Sequence, residues 1–144
     1  MKRIFVLAMT SVVACLGTMS KVVVKLPRVE NMTAPLAVET ASPRFSWQLD
    51  ADEKNVVQRG YEIEVRSQGK VLWHEKNTAS DRQLWIPYGG KPLKSGQQCT
   101  WRVRSMTNKG TTEWSEEQPF GIGLLTENRW GGRWIGWEQI GRAH

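Results

Sequence analysis

A chain of 144 residues with 40% hydrophobic content is about one domain of sequence, enough for a single core. Its formal charge of +6 is interleaved with acids and forms no basic block or helix, which excludes the basic stripe of a nucleic-acid binder. Eight Trp against three Phe and two Tyr is the unusual balance, and it puts flat aromatic faces among the candidate functional groups.

Residues 1–20 read as a signal segment outside the fold. Lys2 and Arg3 supply the positive start, and Ile4 to Leu16 is apolar but short for a bilayer span. Two endings are open. Val12-Val13-Ala14-Cys15 matches a lipobox, which makes Cys15 a lipidated N-terminus and the chain's one tie to a membrane. Ordinary cleavage near Gly17 or Ser20 is the other ending. Both lead to export, to the periplasm or to the outer membrane and cell surface. With Cys15 removed or acylated, Cys99 stands alone and a disulfide within the chain is excluded.

Residues 21–33 read as an extended lead-in, centred on Pro27 to Asn31. The domain is expected over 34–122. Pro35 to Val38 is an edge-like first strand, and Ser42-Pro43 breaks the chain. Arg44 to Leu49 alternates with Phe45, Trp47 and Leu49 on one face. After a polar turn, Val57 to Arg66 puts Tyr61, Ile63 and Val65 inward and Glu62, Glu64 and Arg66 outward. Gln68-Gly69-Lys70 turns tightly into Val71-Leu72-Trp73. Gln83 to Ile86 is a further strand, stopped by Pro87 and Gly89-Gly90. Cys99, Trp101, Val103 and Ser105 share one face of the next strand, and Asn108-Lys109-Gly110 turns the chain back toward Trp114-Ser115 and Phe120. About seven short strands separated by turn signals describe an all-β protein. The architecture is an antiparallel β-sandwich of immunoglobulin or fibronectin type III kind.

Within this pattern Pro43-Arg44-Phe45-Ser46-Trp47, Gln58, Tyr61-Glu62-Ile63, Trp73, Ser80-Asp81, Pro92-Leu93, Trp101-Arg102-Val103 and Trp114-Ser115 follow one another in a specific order. Over about 26–138 the chain resembles the fibronectin-III-like module at the N-terminus of bacterial α-L-rhamnosidases, inverting glycoside hydrolases. Phe120 to Leu125, followed by Trp130, Trp134 and Ile135, is similar to that family's bridge into its next β-domain, so 123–139 is expected to open a second domain. Family members tend to carry Tyr where this chain has Cys99. The resemblance implies catalysis in a later helical barrel, where one Glu is the general acid and another carboxylate activates water. It maps no catalytic residue onto this chain. Residues 140–144, Ile-Gly-Arg-Ala-His, leave the pattern and are similar to translated adapter sequence, so a truncated frame with an artefactual tail is expected.

The residues themselves point the same way. Glycoside hydrolysis needs two carboxyls about 5 Å or about 6.5–9.5 Å apart across one bond. Asp50, Asp52 and Glu53 share a turn, Glu62 and Glu64 read as surface charge, and Asp81 reads as a turn residue. No metal-ligand spacing or cofactor motif is present, and Cys99 falls on the apolar parity of its strand as a buried small hydrophobe. Trp47 and Trp101 share parity with the core. Trp85, between Leu84 and Ile86, faces outward if those two are buried. It is the candidate platform for a sugar or a neighbouring domain, and Trp73 is a second because Leu72 competes for the inside. The expected partners are the downstream domains of the same polypeptide and rhamnose-containing glycans. The expected role is an accessory module of an exported α-L-rhamnosidase. The alternative is a non-catalytic surface lipoprotein or adhesin.

Overall fold

The computed structural model describes residues 21–125, and their regular structure is entirely β. The strands are β1 (Val22–Val29), β2 (Arg44–Ala51), β3 (Gln58–Ser67), β4 (Lys70–Asn77), β5 (Ile86–Pro87), β6 (Gln98–Thr107), β7 (Gly110–Thr111) and β8 (Gln118–Gly121). One sheet has the order β1-β2-β5. The other has β4-β3-β6, with β7 and β8 both on the far edge of β6, and all the pairings between these strands are antiparallel.

The period of two in the sequence becomes the core. Phe45 and Trp47 from the smaller sheet meet Ile63, Val65, Trp101, Val103 and Phe120 from the larger, all at 1% exposure or less. Phe45 lies 4.7 Å from Trp101 and 5.8 Å from Phe120 by ring centroid, and Trp47 stands edge-on to Tyr61 at 5.3 Å. The predicted turns hold. Gln68 and Gly69 both take positive φ (51° and 74°), the requirement of the two-residue hairpin that joins β3 to β4. Gly110, at φ 117°, absorbs the turn from β6 to β7, and Asn108 Oδ1 accepts the Val57 N–H at 2.9 Å, tying that turn to the start of β3.

Three elements differ from the sequence reading. Residues 21–33, read as a lead-in, contain β1. The β-branched run Val22-Val23-Val24 pairs with the open edge of β2, and a bulge at Leu26-Pro27 hides its alternation by shifting the register between Lys25 and Arg28. Pro35 to Val38, read as a strand, forms no ladder: it meets the end of β8 through an isolated parallel bridge, Val38 to Ile122, and a hydrogen bond from Gly121 N–H to the Pro35 carbonyl at 2.9 Å. Pro35 has no N–H to give a ladder, and Ala34 before it is already left-handed (φ 45°). The strand expected over Gln83 to Ile86 shrinks to Ile86–Pro87, because Trp85 sits at φ 56° and breaks the alternation.

Candidate functional site

A buried polar strap sets the position of the loop before β5. Trp47 Nε1–H donates to Ser105 Oγ at 3.0 Å and to Gln58 Oε1 at 3.2 Å, and Ser105 Oγ–H donates to the same Gln58 oxygen at 2.8 Å. Gln58 Nε2 then donates to the carbonyls of Ser80 (3.3 Å) and Arg82 (2.8 Å). Gln58 is 3% exposed and Ser105 fully buried, so each polar group in this strap depends on the others. The strap joins the two sheets and fixes the segment that carries Asp81, Arg82 and Trp85.

Trp85 is 37% exposed on the outer side of the smaller sheet. Its backbone is held on both sides. The N–H donates to Ser46 Oγ and the carbonyl accepts from Arg82 Nη2, each at 3.2 Å. The Arg44 guanidinium covers one face of the indole at 4.2 Å, and Glu30 holds that guanidinium through Nη2 (2.9 Å) and Nε (3.2 Å). The hydrogen bond from Arg44 outweighs burial and keeps the Glu30 carboxyl below its usual range. Trp85 also lines an open depression of about 650 Å³ with Trp47, Gln48, Asp81, Arg82, Gln83 and Leu84. The sequence condition for an outward Trp85 was burial of both neighbours. Ile86 is buried at 2%, but Leu84 is 59% exposed, and the left-handed turn at Trp85 presents the ring instead.

Trp73 does not line that depression. It sits opposite Val65 on β4, half-buried, with Phe45 at 6.1 Å and Tyr88 edge-on at 5.3 Å. A Cβ at Gly89 would come within 2.9 Å of its indole nitrogen, so glycine there lets the backbone rest on the ring. Cys99 is 3% exposed, and burial pushes its thiol up, which keeps it protonated and unreactive. Cys15 lies outside the described residues, as do 126–139 and the 140–144 tail.

Glu62 and Glu64 require a correction. They point away from the core as their parity predicts, yet each is only 8% exposed rather than free surface charge. Glu62 Oε1 lies 2.8 Å from His74 Nε2, and its Oε2 accepts from Arg104 at 2.6 and 2.7 Å. Glu64 is held by Arg66 and, at 3.4 Å, by Arg102. The Trp114 ring closes over both arginines, 4.4 Å from Arg102 and 4.7 Å from Arg104. Burial alone raises the Glu62 pKa, but His74 and Arg104 together bring it below the ordinary carboxylate value. An acid held ionised in this way braces a sheet and is unsuited to donate a proton. Among the described residues no group of three His, Cys, Asp or Glu side chains is placed to hold a metal ion.

The motifs that carry the sequence resemblance fall inside this sandwich: Phe45 and Trp47 on β2, Tyr61 and Ile63 on β3, Trp101 and Val103 on β6, and Trp114-Ser115 in the loop before β8. The family model of the Rha78A-like N-terminal immunoglobulin domain matches residues 24–126. The chain belongs to that family. An α-L-rhamnosidase of Formosa agariphila is 35% identical to it over 114 residues, which is 74% of this chain and 12% of that protein. One from Streptomyces avermitilis is 32% identical over 123 residues, 81% of this chain and again 12% of the relative. The crystal structure of the S. avermitilis α-L-rhamnosidase complexed with L-rhamnose matches 76% of this chain with a TM-score of 0.71 at 29% identity. That of the native Aspergillus terreus enzyme matches the same share with a TM-score of 0.69 at 31% identity, covering 13% of its chain. This immunoglobulin domain thus spans about 12% of the length of the curated relatives it matches.

Proposed function

We propose that this domain is the non-catalytic accessory module of an exported α-L-rhamnosidase that removes terminal α-L-rhamnose from glycans or glycosides. The observation that carries the reading is the match of 24–126 to a rhamnosidase N-terminal domain, together with relatives named α-L-rhamnosidase at 35% and 32% identity. The chemistry of the domain supports it. Its most enclosed carboxylates are neutralised in ion pairs, and its best-organised polar strap, Trp47–Ser105–Gln58, holds a loop. The exit supports a partner in the same polypeptide. Leu125 N–H is pinned to Ser95 Oγ at 3.1 Å, and near that end Leu36 (87% exposed) and Leu124 (56%) offer apolar surface to a following domain. The signal segment 1–20 supports export, through cleavage or through lipidation at Cys15.

The test is the longer reading frame. Its product, secreted and assayed on an aryl α-L-rhamnoside, is expected to release rhamnose with inversion, while the domain alone releases none. A frame whose product lacks rhamnosidase activity overturns the proposal.

A further inference from the structure

We propose that the depression beside Trp85 is a binding subsite for a neutral 6-deoxyhexopyranoside, with the sugar ring stacked on the indole.

The first ground is preorganisation. A bulky aromatic at φ 56° is a backbone outlier that persists only where its surroundings hold it. Here Ser46, Arg82 and Arg44 do so, and Glu30 fixes Arg44 in turn. The backbone under the ring is therefore held and one ring face is already packed before a ligand arrives, which lowers the ordering cost of binding. The second ground is the character of the rim. Gln48, Asp81, Arg82 and Gln83 supply donors and acceptors around a mostly open hollow whose roughly 650 Å³ lies in the range of small-ligand sites. One acid and one base on the rim suit a neutral ligand. The core of a protein interface is depleted in charged side chains, which favours a sugar here over a docked domain. The third ground is Leu84, 59% exposed beside the ring. Indole takes the C–H face of a pyranose, the hydroxyls reach the rim, and Leu84 gives a C6 methyl group an apolar neighbour. Choosing a rhamnoside as that deoxyhexose rests on the accessory-module reading, whereas the stacking site does not.

The test is a titration of the ¹⁵N-labelled 144-residue chain with methyl α-L-rhamnoside and with methyl α-L-mannoside, which differs from it only by a hydroxymethyl group in place of the C6 methyl. The probe is the Trp85 indole N–H resonance, assigned by its loss in Trp85→Gly. Glycine accepts the positive φ, so this variant keeps the fold, and an unmoved Trp47 indole signal verifies that. The rhamnoside is expected to shift the Trp85 signal saturably at millimolar concentration. Trp85→Phe, read on neighbouring amides, should retain binding, and Trp85→Gly should weaken it about ten-fold or more. Absence of a saturable shift overturns the site, and so does binding that survives Trp85→Gly. Mannoside binding equal to that of the rhamnoside overturns the deoxyhexose assignment. Loss of the free Trp85 signal in the longer polypeptide, with no response to sugar, identifies the ring as a domain contact. Rhamnosidase activity of that polypeptide is measured separately, so failure here leaves the accessory-module reading standing.

Discussion

Trp47 and Trp101 are each 1% exposed, but their indole N–H groups have different fates. Trp47 donates to Ser105 and Gln58, whereas Trp101 Nε1 is buried without an acceptor among the described residues. Replacing Trp101 by Phe removes volume and relieves an unpaired donor. The same change at Trp47 leaves Ser105 Oγ without its donor inside the core and Gln58 Oε1 with the Ser105 hydroxyl alone. Trp47→Phe should therefore cost about 1–3 kcal/mol more than Trp101→Phe in denaturant unfolding. Equal losses would show that the strap contributes nothing beyond packing. Parity in the sequence placed both rings inside. It carried no information on which N–H finds a partner, because Ser105 is 58 residues away from Trp47.

At the scale of elements, the edge of β6 departs from a plain ladder. Between β7 and β8 the Thr112 and Ser115 hydroxyls take over from backbone carbonyls, accepting the N–H groups of Ser105 and Val103 at 3.0 Å. That detour lifts Trp114 onto the outer face, where it covers Arg102 and Arg104 and they in turn enclose Glu62 and Glu64. The consequence is a pH dependence of stability. The folded-state pKa of Glu62 lies below its unfolded value, so its contribution is present above about pH 4.3 and is lost as pH falls through the folded value. Glu62→Gln should lower stability at neutral pH and flatten the acid limb below about pH 4.3, measured by thermal unfolding across that range. An unchanged acid limb would remove Glu62 from the account. The sequence placed Glu62 outward. Its enclosure was not legible, since the cover comes from β4, β6 and the loop before β8, which only the long-range pairing brings together.

For the whole molecule, the end from which the chain leaves carries two exposed leucines, Leu36 and Leu124. In the isolated domain Leu36→Asp should change stability by no more than about 0.5 kcal/mol, because a side chain 87% exposed loses little packing. In the longer polypeptide the same substitution should separate the unfolding of this domain from that of its neighbour in calorimetry. A transition that remains unsplit places the domain contact elsewhere.

The strand faces of β2, β3 and β6, the hairpin turns and the family resemblance were all readable from the chain alone. Each depends on the two-residue period of extended backbone or on turn residues that act locally. The pairing of Val22–Val29 with β2, the enclosure of the outward glutamates and the left-handed Trp85 came from the fold. Each of these is set by partners distant in sequence. The Trp85 ring stands out because Ser46 and Arg44, 39 and 41 positions earlier, hold a backbone conformation that the local sequence disfavours.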